Sequence, residues 1–125
     1  MSFSLKKHEI LRSKKSIKEL FDHGSSFFLY PFKIYYQQNI IAECNQVLFS
    51  VSKKNFTRAV DRNLIRRRMR EAYRLNKTLL KIDEKQSLSL SIALVYISKF
   101  KLPYSEIENK LKQVFIRLNN TEEKI

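Results

Sequence analysis

Between residues 62 and 74 an arginine recurs at every fourth position, as Arg62, Arg66, Arg70 and Arg74. Like charges at that spacing on a helix repel by about 0.2–0.5 kcal/mol per pair, so such a row needs a reason. Projected at about 100° per residue, Arg62, Arg66, Lys77, Arg70, Arg74 and Arg67 gather on one side. Leu64, Leu75, Leu79, Ala72, Ile65 and Met69 gather on the other. Glu71 lies off the cationic side, so no carboxylate is expected to relieve the row. An apolar underside must pack, and its packing holds the cations outward as a rigid array suited to a phosphate backbone. Arginine adds bidentate phosphate contact and stacking on bases. Arg68 breaks the pattern by falling in the apolar arc, either snorkelling to its rim or reaching around the helix as a second contact. Lys53 and Lys54 add charge just before this helix. Asn63 either caps the helix or turns its amide to a nucleic acid.

The aromatics form a second group. Phe27, Phe28, Tyr30, Phe32, Tyr35 and Tyr36 follow closely on one another, and most belong in a core. On a strand, however, Tyr35 and Tyr36 point to opposite faces. One of them is therefore available to line a groove in which single-stranded bases stack. No catalytic constellation accompanies these features. Asp22, Asp61 and Asp83 stand apart, where a metal-dependent nuclease needs converging carboxylates. His8 and His23 do not pair as a general acid and base. With Cys44 they give no zinc-ligand spacing. The residues describe a binder.

The elements that must position these groups can be read from 125 residues of which 43% are hydrophobic, enough for one small core. A balance of 25 Lys+Arg against 12 Asp+Glu leaves a net charge of +13, which implies a polyanionic partner. One cysteine excludes an internal disulfide framework and fits a reducing compartment. The first residues lack the apolar stretch of a signal peptide, and the longest fully apolar run, 92–97, is too short to span a bilayer. A soluble, intracellular chain without a membrane partner is expected. Residues 13–22 predict a first helix, with Ser16 and Glu19 as a capping box and Gly24 supplying a left-handed end. Strands are expected over 27–36, bent or edged at Pro31, over 46–52, and over 88–97, the last covered on both faces. The basic helix spans 61–80 with Asp61 as its N-cap. Pro103 precedes a final helix capped by Ser105 and Glu108, with Ile107, Leu111, Val114, Phe115 and Leu118 as its apolar stripe. The fold class is α+β, a sandwich of helices on a mostly antiparallel sheet. It forms one domain over 1–125, loosely ordered over 1–10 and frayed over 120–125.

The run Phe49-Ser50-Val51-Ser52-Lys53-Lys54, followed by Ala59-Val60-Asp61-Arg62-Asn63-Leu64-Ile65-Arg66-Arg67-Arg68-Met69-Arg70-Glu71-Ala72-Tyr73-Arg74, resembles the protein subunit of bacterial ribonuclease P. The likeness extends to the first helix, from Ile17 to Gly24, and to Pro103-Tyr104-Ser105-Glu106-Ile107. The resemblance implies a two-layer α/β sandwich of order α-β-β-β-α-β-α with a left-handed β-α-β crossover, against the usual hand. It implies a catalytic RNA as partner, precursor tRNA as substrate, and Mg²⁺ held mainly by that RNA, with no protein partner required. The reaction is endonucleolytic removal of the 5′ leader in the cytoplasm. Lys53, Lys54, Arg62, Asn63, Arg66, Arg67 and Arg70 match the RNA-facing motif. Phe21 and Tyr35 match a leader cleft, in which Ile17 replaces the family's outer aromatic. Leu64 stands where the family has an arginine, and Arg68, one turn on, can restore the guanidinium. One extra residue near Asn55 lengthens the loop before the helix. The competing readings are a structural RNA-binder without a role in cleavage and a DNA-binding regulator that lays Arg62 to Arg74 in a major groove.

Overall fold

The computed structural model describes residues 4–39, 44–80 and 89–123. Asp83, Leu88 and the last two residues, all named above, lie outside that set.

The first helix, α1, is Lys14–His23. Its cap is Ser13, whose Oγ accepts from the Ser16 N–H at 3.2 Å. Ser16 is thus the donor in the motif, and the Ser16–Glu19 box expected above does not form the helix start. At the other end Gly24 is extended, at φ −72°, and not left-handed. Glycine is needed there for closeness: a Cβ would stand 2.4 Å from the Leu20 carbonyl oxygen, to which the Gly24 N–H donates.

The aromatic run then folds as a hairpin of β1, Ser25–Leu29, and β2, Phe32–Asn39. Pro31 lies in the turn, after a cis peptide bond, and β1 is the sheet edge, so the proline marks both a bend and an edge. β3 is Gln46–Val51 and β4 is Ser89–Tyr96. The sheet order is β1-β2-β4-β3, with β3 parallel to β4 and the other pairs antiparallel. Between β3 and β4 the described residues form α2, Ala59–Asn76, and a 3₁₀ turn, Lys77–Leu79, making a β-α-β crossover. The chain ends in α3, Tyr104–Glu123. This is the α-β-β-β-α-β-α order of an α+β sandwich. No helix among the described residues is long and apolar enough to cross a membrane.

Burial follows the strand alternation. Phe32, Ile34, Val47, Leu90, Ile92, Leu94 and Tyr96 face α2 and α3, meeting Ile65, Met69 and Tyr73 from one and Ile107, Leu111, Val114, Phe115 and Leu118 from the other. Each such side chain contributes about 1.5–3 kcal/mol on burial. Tyr73 is the joint, its ring edge-on to Phe49 at 5.7 Å and Phe115 at 5.6 Å. On the opposite sheet face a smaller cluster of Leu11, Leu20 and Ala93 seats α1, with Ile17, Tyr35 and Leu48 against it. β4 is thereby covered on both faces. Residues 4–10 do not drape loosely. Leu5 packs on the main core, Ile10 bridges Val47, and the Lys77 ammonium holds the Ser4 carbonyl and the Glu9 carboxylate, each at 2.8 Å.

Candidate nucleic-acid interface

The basic helix begins two residues earlier than its pattern predicts, with Arg58 and not Asp61 at the N-cap position. Asp61, in the first turn, receives Lys101 Nζ at 2.7 Å, which holds its carboxyl below the usual range. Its buried residues are Ile65, Met69, Ala72 and Tyr73. Tyr73 projects among the arginines, so the buried stripe is turned by roughly 50° from the arc that the leucines define. Leu75 and Leu79 are accordingly exposed.

That rotation sorts the arginines. Arg62 moves to the flank of the buried stripe. It is half-buried, and its Nη1 donates to the Phe56 and Thr57 carbonyls, both at 2.9 Å, while Nε is buried without a partner. Arg62 is therefore turned inward as a clamp on the loop ahead of α2, and the expectation of an outward cation is corrected. Arg68 is half-buried too and donates to the Leu102 carbonyl at 2.7 Å, fixing the β4–α3 loop. Arg74 pairs with Glu71, Nη2 to Oε1 at 2.5 Å, with Nε on the second oxygen. The row is thus partly relieved by a carboxylate, against the expectation, because side chains three apart meet on a helix. The pair holds Glu71 low and Arg74 high in pKa.

Arg67 and Arg70 are exposed, on the side facing away from the buried stripe. Arg66, half-buried, is oriented by its Nη1 bond to Asn63 Oδ1 at 2.9 Å. Asn63 neither caps the helix nor sits idle; its carbonyl oxygen aims a guanidinium. Lys53 and Lys54 are exposed in a turn after β3, where the Lys54 N–H meets Ser52 Oγ at 3.1 Å. Asn55, in that turn, ties it to β4's end by donating to the Ile97 carbonyl at 3.3 Å.

The aromatic groups assemble on the other sheet face. Phe21 of α1, 37% exposed, lies edge-on to Tyr35 of β2 with centroids 4.7 Å apart. Ile17 packs beside them over Leu20 and Ala93. Tyr36 points to the opposite face, against Phe27. Two members were missed in the sequence. Lys33 Nζ stands 4.9 Å from the Tyr35 centroid and 5.0 Å from that of Phe28, which is 63% exposed. The signal was present: Lys33 is two residues from Tyr35 on one strand, and Phe28 is its register partner. Ring faces and a cation in one groove suit stacked bases and their phosphates. Among the described residues no three His, Cys, Asp or Glu side chains converge to hold a metal ion.

Comparison with known proteins finds likenesses over most of the chain. The family model described as Ribonuclease P matches residues 5–119. The ribonuclease P protein component of Porphyromonas gingivalis is 34% identical over 120 residues, covering 94% of this chain and 88% of its own. That of Chlorobium phaeobacteroides is 42% identical over 105 residues, covering 75% and 72%. The solved RNase P protein of Staphylococcus aureus superposes with a TM-score of 0.72 at 23% identity, over 88% of this chain and 94% of that one. The Thermotoga maritima protein gives a TM-score of 0.72 at 21% identity, over 87% and 96%.

Proposed function

The chain belongs to the Ribonuclease P family, and from that premise we propose how it acts as the protein subunit of the enzyme. It docks the catalytic RNA through Lys53, Lys54, Asn63, Arg66, Arg67 and Arg70, while Arg62, Arg68 and Arg74 position the surrounding chain. The observation that carries this reading is an exposed guanidinium face on α2 held in place by a buried stripe of Ile65, Met69, Ala72 and Tyr73. The groove of Ile17, Phe21, Phe28, Lys33 and Tyr35, on the opposite sheet face, takes the single-stranded 5′ leader of precursor tRNA. Bases stack on Tyr35 and Phe21, and Lys33 meets the phosphates.

The cleavage uses Mg²⁺. In this reading the ion belongs to the RNA subunit, which carries out the phosphodiester hydrolysis in the cytoplasm. The protein contributes charge neutralisation and substrate orientation. Adding the chain to a ribonuclease P RNA and precursor tRNA at low Mg²⁺ stimulates 5′ cleavage. In the same assay Tyr35→Ala weakens precursor binding about tenfold, the worth of one stacked base, and leaves mature tRNA unchanged. Binding without stimulation would remove the subunit role, and equal losses for precursor and mature tRNA would remove the leader assignment.

A further inference from the structure

Among the described large apolar side chains, Phe100 is the most exposed, at 70%. An exposed ring on a mobile loop would mean little, but this loop is fixed on both sides of it. The Ile97 N–H donates to the Pro31 carbonyl at 2.8 Å, and Ser98 Oγ shares a 2.8 Å hydrogen bond with the Tyr30 hydroxyl. The Phe100 N–H donates to Ser98 Oγ at 3.1 Å, and its carbonyl accepts from the Tyr96 hydroxyl and from the Leu102 N–H. Arg68 and Lys101 then tie the loop to α2, through the Leu102 carbonyl and Asp61. The backbone holding Phe100 is thus preorganised, and a ring held ready loses little freedom when a partner covers it.

The surroundings identify the partner's chemistry. Lys99 precedes Phe100 and is exposed. The Asn55 bond to the Ile97 carbonyl attaches the exposed Lys53–Lys54 turn to the same loop. Lys101 is matched by Asp61, so the remaining lysines supply the local charge. An exposed ring on a held backbone, with lysines in and beside its loop, is the chemistry that takes an unpaired base between its phosphates. An acidic protein surface would match the lysines but gives no reason for a projecting ring.

Resting on the RNA-binding reading above, we infer that Phe100, preceded by Lys99 in a loop to which the Lys53–Lys54 turn is tied, is a stacking site for one unpaired RNA base. It is separate from the Phe21–Tyr35 groove, because its loop is tied to α2 and that groove lies on the opposite sheet face.

The test uses F100L, which keeps an apolar side chain without a π face, and F100W. The chain has no tryptophan, so F100W introduces a single indole, which is excited selectively over the six tyrosines. Two arms separate the possible sources of the base: affinity for ribonuclease P RNA alone, and affinity of the assembled protein–RNA complex for precursor tRNA. F100L should weaken one arm about tenfold, with an unchanged melting temperature and an unchanged salt slope. F100W should bind like wild type, with its emission quenched by the RNA of that arm. Wild-type affinity of F100L in both arms would overturn the inference alone, as would an effect confined to self-association of free protein. Failure of the wild-type chain to bind either RNA would overturn it together with the function it rests on.

Discussion

A guanidinium has five N–H donors and no acceptor, so it can serve a backbone carbonyl or a phosphate. Which it does here depends on where the helix turns it. Arg62 and Arg68 flank the buried stripe and spend donors on the carbonyls of Phe56, Thr57 and Leu102. Arg67 and Arg70 lie away from it and are exposed. The two uses predict different signatures for one substitution. Arg68→Leu removes a charged hydrogen bond to a carbonyl, which costs about 1.5–3 kcal/mol, so the melting temperature falls. Because Arg68 is half-buried against the chain itself, the salt dependence of RNA binding stays as in wild type. A slope shallower by about 1 would mean that Arg68 reaches a phosphate after all and replaces the arginine missing at Leu64.

At the scale of elements, α2 and α3 are clasped by a polar group beside their apolar contact. Asn76 Nδ2 donates to the Ala72 carbonyl at 2.8 Å and to Glu108 at 2.9 Å, and the Tyr104 hydroxyl donates to Glu108 at 3.0 Å. The Asn76 bond, against the effect of burial and with the Tyr104 bond added, holds Glu108 below the usual carboxylate range. Burial and then Glu108 push Tyr104 from 10.0 up to about 12. The signs are opposite. A depressed carboxyl stabilises the fold above its ordinary range and loses that effect as pH falls through it. A raised phenol stabilises below pH 10.0 and loses the effect as pH rises towards about 12. Tyr104→Phe should therefore lower the melting temperature at neutral pH and reduce its decline between pH 10 and 12. Parallel wild-type and variant curves across that range would contradict the clasp. The amphipathic period of α2 was legible, but its orientation was not. Leucines were counted as buried and Tyr73 was not, although its ring fills the joint between Phe49 and Phe115. Local spacing finds a helix; only its neighbours decide which flank is covered.

The whole molecule is a four-stranded sheet with a cationic helix packed on one face and an aromatic groove on the other, at a net charge of +13. The coarse order of elements could be read from period and residue type, as could the opposite facing of Tyr35 and Tyr36; the choice of Tyr35 with Phe21 came from the family resemblance. The tethers could not. Lys77 holding Ser4 and Glu9, Arg68 holding Leu102 and Asn55 holding Ile97 join residues distant in sequence, and nothing local announces them. They matter to the proposed function because they fix the surfaces it assigns to RNA. In the proposed function, Arg66, Arg67 and Arg70 neutralise phosphates of the catalytic RNA. The direct measurement is the slope of log affinity against log salt, for wild type and for a variant with all three changed to alanine. The expected result is a steep wild-type slope and a variant slope shallower by about 2–3. Equal slopes would show that these guanidiniums do not touch the RNA backbone.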